Sequence, residues 1–175
     1  MMKKIFLFIF LCFSSIQFIS GKSDKIEKVM VSLLPESEIS IVVFTNLFSF
    51  DIKQSGSEIT SEPISVEASL DKNKLLLSSH VLPLTIKNFK SENKMAQRDF
   101  YKLVNADQYP EMMLEVGYFE FTKNSDNVYE GDVLLNVTIS NVQREYRFPI
   151  VASINGDKLS TGGKKRISIR DFDLE

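Results

Sequence analysis

Most of the chain alternates between apolar and polar residues with a period of two, which is the pattern of strands that bury one face. In the segment 48–52, Phe48, Phe50 and Ile52 alternate with polar residues. The same alternation, or a close version of it, occurs at 39–45, 64–70, 75–87, 112–122, 132–140, 145–150 and 165–170. Turn-forming residues separate these segments at 55–57, 71–73, 123–127, 155–156 and 162–163. We therefore predict an all-β domain of about eight antiparallel strands, arranged as a closed barrel or a sandwich.

One segment near 97–106 has the spacing of a helix instead. Its apolar residues Phe100, Leu103 and Val104 follow the order i, i+3, i+4, which predicts a single apolar stripe. Pro110 ends the helix soon afterwards. A lone helix of this kind fits across one end of a barrel, where it closes an opening that strands leave.

The N-terminus has the three parts of a secretory leader: basic Lys3 and Lys4, an apolar run at 5–13, and small residues Ser20 and Gly21. The apolar stretch is interrupted by polar residues and is shorter than the roughly 20 residues that a membrane-spanning helix needs. We therefore predict a signal peptide rather than a stable membrane anchor. The expected location of the protein is periplasmic or secreted.

This division gives a signal peptide at 1–21 and a barrel domain at 22–175. The only cysteine, Cys12, lies in the leader, so the domain has no thiol for a disulfide, a metal or a nucleophile. The domain keeps 19 of the 21 basic residues against 23 acidic ones, which argues against nucleic acid as a partner. His80 is the only histidine, which excludes a histidine-rich metal site. We expect no enzyme activity, no metal and no cofactor.

Four segments in this order resemble the YceI-like proteins: "TNLFSF", "QYPEMMLEV", "LLNVTISNVQREYRFPI" and "RISIRDFDL". The YceI-like proteins are exported, lipocalin-like barrels that bind polyisoprenoid-type lipids. The resemblance implies a lipocalin-like barrel of about eight strands with one helix packed near an open end. It also implies an apolar lipid, such as a polyisoprenoid or a fatty acid, as the partner.

The chain departs from the family pattern in two places. Asn141 stands where the family usually has glycine, but asparagine also tolerates a left-handed backbone, so we expect the turn to survive. The chain stops at Glu175, two residues after Asp173, whereas relatives commonly continue. The closing strand is therefore expected to be short or absent. An open edge strand would then be available, including for pairing with a second copy as a homodimer.

The interior of an eight-stranded barrel is either filled by side chains or holds one small ligand. Aromatic residues on alternating strand positions and apolar residues around the helix suit both roles, and methionine adapts to irregular apolar shapes. The candidate ligand-binding residues are Phe44, Phe48, Phe50, Met95, Phe100, Leu103, Met112, Leu114, Phe119, Phe121 and Phe148. The cluster Lys164, Lys165 and Arg166 is either a site for an anionic head group or a solvated strand end.

These observations favour a periplasmic lipid carrier or sequestering protein, with an apolar chain inside the barrel and the helix at 94–106 near its mouth. The alternative is a non-catalytic interaction module with a solid core, which acts through its surface or its open edge strand.

Overall fold

The computed structural model describes residues 4–14, 27–44, 49–60, 62–71, 74–77, 81–125, 128–155 and 158–174. The strands in these ranges are β1 (Lys4–Ser14), β2 (Glu27–Leu33), β3 (Glu38–Phe44), β4 (Ser49–Ser55), β5 (Ile64–Asp71), β6 (Lys74–Leu77), β7 (Val81–Thr85), β8 (Glu111–Ser125), β9 (Val128–Ile139), β10 (Val142–Asn155) and β11 (Lys158–Ser168). The helices are α1 (Gly56–Ile59), α2 (Lys94–Leu103), and two 3-10 helices at Ile86–Asn88 and Ile169–Phe172.

All of these strands belong to one curled, antiparallel sheet, which confirms the all-β prediction. The order of neighbouring strands is β11-β10-β9-β8-β6-β5-β2-β1-β3-β4, while β7 pairs with β8 and β11 also pairs with β1. The alternation of apolar residues along β8, β9 and β10 gives each of these strands one face for the core.

Several of the short strands continue one another in the same direction. Both β2 and β3 run antiparallel to β1, and the turn at 34–37 separates them. Likewise β4 pairs with β3 and β5 pairs with β2, with α1 between β4 and β5. At this double break the Gly56 amide donates to the Ser37 carbonyl over 2.7 Å, and a Cβ on Gly56 would collide with the Leu34 carbonyl oxygen. Glycine therefore allows the two breaks to pack against each other.

The first strand consists of residues that the sequence predicts as part of the signal peptide. Lys4–Ser14 pairs with β11 along its whole length and with β3 from Lys4 to Phe10. In the complete chain this apolar segment is therefore a strand of the sheet, and its removal by cleavage stays a prediction. Residues 15–26, which contain the predicted cleavage site, lie outside the described residues.

The hairpin between β9 and β10 has the turn that the sequence predicts. Ser140 and Asn141 both have positive φ, at 49° and 64°, as expected for a two-residue turn between twisted strands. In the hairpin between β10 and β11, Asn155 is in register with Lys158, and the turn itself at 156–157 lies outside the described residues.

One predicted turn is wrong. Gly162 and Gly163 lie inside β11, opposite Val151 and Ile150 of β10. A Cβ on Gly163 would lie 2.7 Å from Cγ2 of Ile150, so the glycine makes room for its neighbour rather than a turn. The predicted break at 55–57 does separate β4 from β5, and the short helix α1 begins within it.

The buried core lies toward one end of the sheet, which we call the helix end and define by Thr85, Glu111 and Ser140. Thr85 and Glu111 are in register across β7 and β8, so the segment 86–110 with α2 connects two strands that pair with each other. We call the opposite end, where the β8–β9 and β10–β11 hairpins turn, the far end.

Candidate functional site

Helix α2 is fixed at its start by a side-chain cap. Oδ1 of Asn93 accepts from the amides of Met95 and Ala96, both over 3.1 Å, which satisfies two of the amides that a helix start leaves unpaired. The helix then runs over Lys94–Leu103, close to the predicted range.

The predicted apolar stripe of α2 faces the core. Phe100 is 2% exposed and Val104 is 1% exposed, whereas Leu103 is half-buried. The ring of Phe100 contacts that of Phe89 edge-on, with 6.0 Å between centroids. Because Phe89 lies in the segment that leads into α2, this pair joins the helix to its own connection. Phe100 and Val104 thus belong to the buried core, while closure of one end of a barrel by α2 stays a prediction.

Polar groups hold the helix on the same segment. The hydroxyl of Tyr101 donates to the carbonyl of Phe89 over 2.7 Å and accepts from Nε2 of Gln97 over 2.7 Å. The loop before the helix is joined to β4 by a bridge, in which the amides and carbonyls of Lys53 and Lys90 pair at 2.8 and 2.7 Å. These bonds fix α2 against the wall of the sheet.

An apolar cavity of about 20 Å³ lies beneath the helix. The cavity is lined by Ile41, Leu84, Phe100, Val104, Met112, Leu114, Val137, Ile139 and Ile167. A cavity must offer roughly 10–15 Å³ to admit one water molecule, and a water needs polar partners that this lining lacks. The helix end is therefore a dry, nearly filled part of the interior, with no room for an alkyl chain at this position.

Burial decreases from the helix end toward the far end. On β9 the inner residues Val137 and Val133 are at most 4% exposed, whereas Tyr129, further along the same face, is half-buried. On β8 the change is the same, from Leu114 at 3% to a half-buried Phe119. The inner face of the sheet is thus fully buried at the helix end and more exposed toward the far end.

The predicted ligand residues fall into separate groups. Phe100, Met112 and Leu114 line the cavity, and Phe148 is buried in the same core. The half-buried residues of the set are Phe50, Leu103 and Phe119. Phe121 lies on β8 in register with Gly131, and Phe48 lies outside the described residues.

Two predicted ligand residues are exposed. Met95 has 66% of its surface exposed at the start of α2, and Phe44 has 36% exposed at the end of β3. Met95 lies on the helix face away from the core, because five residues at about 100° each place it about 140° around the helix from Phe100. The structure therefore does not bring Met95 together with the cavity residues.

The candidate ligand-binding residues were chosen mainly as aromatic residues and methionines, so they leave out most of the aliphatic residues that line the cavity. Ile41, Leu84, Val137, Ile139 and Ile167 lie on strands that the alternation predicts. The signal that identifies them is the alternation itself, since each occupies the apolar phase of its strand.

The acidic residues near the C-terminus have structural partners. Asp171 accepts from the hydroxyl of Tyr146 over 3.0 Å and from the amide of Ser168 over 3.3 Å. Asp173 ends the last 3-10 helix with a φ of 56°, so Asp171 and Asp173 do not lie on one face of a strand. His80 lies outside the described residues. Among the described residues, no group of three metal-binding side chains occurs.

The basic cluster lies on β11. Nζ of Lys165 donates to the carbonyl of Arg147 over 3.1 Å and lies 6.0 Å from the ring centroid of Tyr146. Lys165 therefore helps to join β10 and β11 where their backbone pairing ends, whereas Lys164 and Arg166 are exposed.

No family model, no curated protein and no solved structure matches this chain. None of the helices within the described residues combines the length and the apolar character required to cross a bilayer.

Proposed function

We propose that this protein is an exported, non-catalytic lipid-binding protein that holds one apolar chain, a polyisoprenoid or a fatty acid, inside its curled sheet. The gradient of burial supports this proposal most directly, because apolar and aromatic residues of the inner face become half-buried toward the far end. The resemblance to the YceI-like proteins, which the sequence carries, implies the same class of ligand. The leader at 1–21 belongs to this proposal as the export signal.

The proposal includes a closed barrel of eight strand positions. These positions are β1, β2 with β3, β4 with β5, β6 with β7, β8, β9, β10 and β11. In protein that keeps its leader, the pairings of β1 with β3 and with β11 support closure, because they join the two edges of the curled sheet. Cleavage of the leader would remove β1 and leave the other seven positions as a curled sheet with a gap. An interior of this size is wide enough for one small ligand.

The small volume of the cavity at the helix end, about 20 Å³, supports entry of the apolar ligand from the other end. Because this end is filled, we place the mouth at the far end and treat the residues beneath α2 as the floor of the site. The helix is then a plug at the bottom of the barrel, in contrast to the expectation that it lies near the mouth.

The binding energy available to such a site is large. Burial of about 15 methylenes contributes about 12 kcal/mol at roughly 0.8 kcal/mol each, less the cost of ordering the chain. Micromolar or tighter binding is consistent with that balance.

The experiment compares two neighbouring substitutions on β10 in delipidated, full-length protein. Ala152 is half-buried, in register with Tyr129 and Thr161, whereas Val151 is 50% exposed on the other face. Ala152→Phe should fill the interior near the far end and weaken binding of polyisoprenyl phosphate or a fatty acid by about tenfold or more. Val151→Phe, the matched control, should bind like the parent protein.

Titration by calorimetry and tyrosine fluorescence measures this difference, and circular dichroism checks that both variants fold. Equal affinity of the two variants would show that the ligand does not occupy the interior near the far end. Sequencing of the N-terminus of the exported protein tests the leader separately, with a first residue near Gly21 or Lys22 expected.

A solid-core interaction module is the second candidate, and the small volume of the cavity favours it. It becomes the better explanation if protein taken directly from the host carries no lipid in native mass spectrometry and the delipidated protein binds neither ligand.

A further inference from the structure

Strand β1 fills a gap between two strands that do not pair with each other elsewhere in the described sheet. Its register with β11 runs from Lys4 opposite Ser168 to Ser14 opposite Lys158. Its register with β3 begins with Lys4 opposite Phe44. Both neighbours are antiparallel to β1, so β3 and β11 run parallel to each other with one strand between them.

Removal of β1 would leave a slot of one strand width in the sheet wall. Neighbouring strands lie about 4.8 Å apart, so β3 and β11 are separated by roughly twice that distance. Backbone hydrogen bonds do not span such a distance. The edges of β3 and β11 would therefore face each other with unpaired amides and carbonyls, which form a template for one extended chain.

The slot has a definite chemical character. On the core side it is bordered by Ile41, Val43 and Ile167, which are at most 4% exposed in the complete chain. The β1 positions in register with them are apolar, with Ile5 opposite both Val43 and Ile167, and Leu7 opposite Ile41 on β3 and the half-buried Lys165 on β11. A strand that fits the slot must therefore have apolar residues at alternate positions.

We propose that the slot between β3 and β11 is a binding site for one extended, apolar strand of a partner polypeptide, antiparallel to both of its neighbours. In the complete chain Lys4–Ser14 occupies this site, and removal of the leader opens it. The proposal rests on the leader cleavage in the proposed function, but it does not need the lipid. Addition of a strand to an exposed sheet edge is a common mode of peptide recognition, in which backbone bonds give affinity and alternate side chains give specificity.

A second copy of the chain fits the slot less well than a separate strand does. Antiparallel pairing of β11 with the β11 of another copy would bring two basic segments, each containing Lys164, Lys165 and Arg166, next to each other. Like charges across neighbouring strands are destabilising. Pairing through β3 alone would satisfy only one side of the slot.

The test starts from the complete chain, so that β1 is in place during folding. A protease site is inserted within 15–26, Cys12 is replaced by serine, and the folded protein is cut. A labelled peptide with the sequence of Lys4–Ser14, also carrying Cys12→Ser and a soluble tail, is then added. A second peptide with Leu7→Pro and Ile9→Pro is the control, since proline removes the backbone donors that the pairing needs.

We expect the severed segment to co-elute with the remaining chain in gel filtration and to exchange for one labelled peptide per chain. The control peptide should bind at least tenfold more weakly in fluorescence anisotropy. The proposal is overturned if the severed segment leaves and the labelled peptide does not bind. It is equally overturned if the cut protein forms a dimer that excludes the peptide, because the slot would then accept a second copy.

The outcome is separable from that of the proposed function. Lipid titration uses the uncut chain, and processing in the cell is determined by N-terminal sequencing. If the lipid does not bind or the leader is not cleaved in the cell, the peptide exchange can still be measured. If the peptide does not exchange, lipid binding and leader cleavage can still be measured.

Discussion

The hydroxyl of Tyr146 on β10 donates to the carboxylate of Asp171 in the last 3-10 helix, over 3.0 Å. The ring of Tyr146 also lies against Phe172, with 6.2 Å between centroids, and Phe172 is 1% exposed. Ser168 caps the same helix by accepting from the amide of Arg170. The end of the chain is thus fixed to the sheet by an apolar contact and by a hydrogen bond to a charged group.

This pair predicts a loss of stability at high pH. Burial raises the pKa of Tyr146 above its ordinary value of 10.0, and the hydrogen bond and charge of Asp171 raise the pKa further. Above about pH 10 the phenol ionises more readily in the unfolded chain, so unfolding releases a proton and becomes more favourable as pH rises. The stabilisation is complete below pH 10 and declines above it.

Urea unfolding at pH 7, 9 and 10.5 should therefore show a steeper decline for the parent protein than for Tyr146→Phe. The variant should also lose about 1 kcal/mol at pH 7 through the missing hydrogen bond. Tyr109→Phe is the control for removal of a phenol elsewhere. If the unfolding free energy falls equally with pH in the parent and in Tyr146→Phe, the raised pKa of Tyr146 is contradicted.

The two predicted ligand residues at opposite faces of α2 should differ in their effect on stability. Phe100→Ala removes a ring that is 2% exposed and enlarges the cavity beneath the helix, with an expected cost of about 3–5 kcal/mol. Met95→Ala, on the same helix but 66% exposed, should change the unfolding free energy by less than about 0.5 kcal/mol. Chemical unfolding of both variants measures the difference. Similar values for both would mean that α2 does not pack on the core as described.

Gly163→Ala tests the close contact between β10 and β11. The added methyl would lie 2.7 Å from Cγ2 of Ile150 and 3.0 Å from Cε2 of Phe148, both within buried side chains. We expect a cost of about 1–3 kcal/mol from overpacking. Gly117→Ala is the matched control on β8, because its methyl would lie 3.3 Å from the terminal Cδ2 of Leu134. A smaller loss for Gly163→Ala than for Gly117→Ala in thermal melts would count against this account.

The turn between β9 and β10 should discriminate between alanine and glycine at position 141. Asn141 has a φ of 64°, where a Cβ costs roughly 1–2 kcal/mol for most residues but little for asparagine and nothing for glycine. Asn141→Ala should therefore destabilise the protein by about 1 kcal/mol, while Asn141→Gly should remain within a few tenths of the parent. Equal stability of the two variants would show that the turn adopts another conformation.

The pattern of the sequence predicted the parts of the fold that local physics determines. The alternation along 132–140 and 145–150 gave β9 and β10, because each strand buries one face. The stripe of Phe100 and Val104 gave α2 for the same reason. These elements follow from periodicity alone, without knowledge of their neighbours.

Contacts between distant segments determined what the sequence did not show. Gly162 and Gly163 have the composition of a turn, and only contacts with the neighbouring strand β10, to Ile150 and Phe148, explain a glycine at position 163 of β11. The segment at β1 has the apolar run and basic head of a leader, so its composition gave no sign of strand pairing. Met95 was chosen for its residue type, whereas its position on α2 determines its exposure.

The register of Thr85 with Glu111 has a consequence for the order of folding. The amide of Ile86 donates to the carbonyl of Pro110 over 2.8 Å. The two ends of the segment 86–110 are therefore joined by a backbone hydrogen bond next to the Thr85–Glu111 pair. Pairing of β7 with β8 requires closure of the loop 86–110 but no structure within it, and the entropic cost of loop closure rises only slowly with loop length. We therefore expect β7 and β8 to pair before α2 docks, with amides of α2 gaining protection later than those of β8 in pulsed hydrogen exchange.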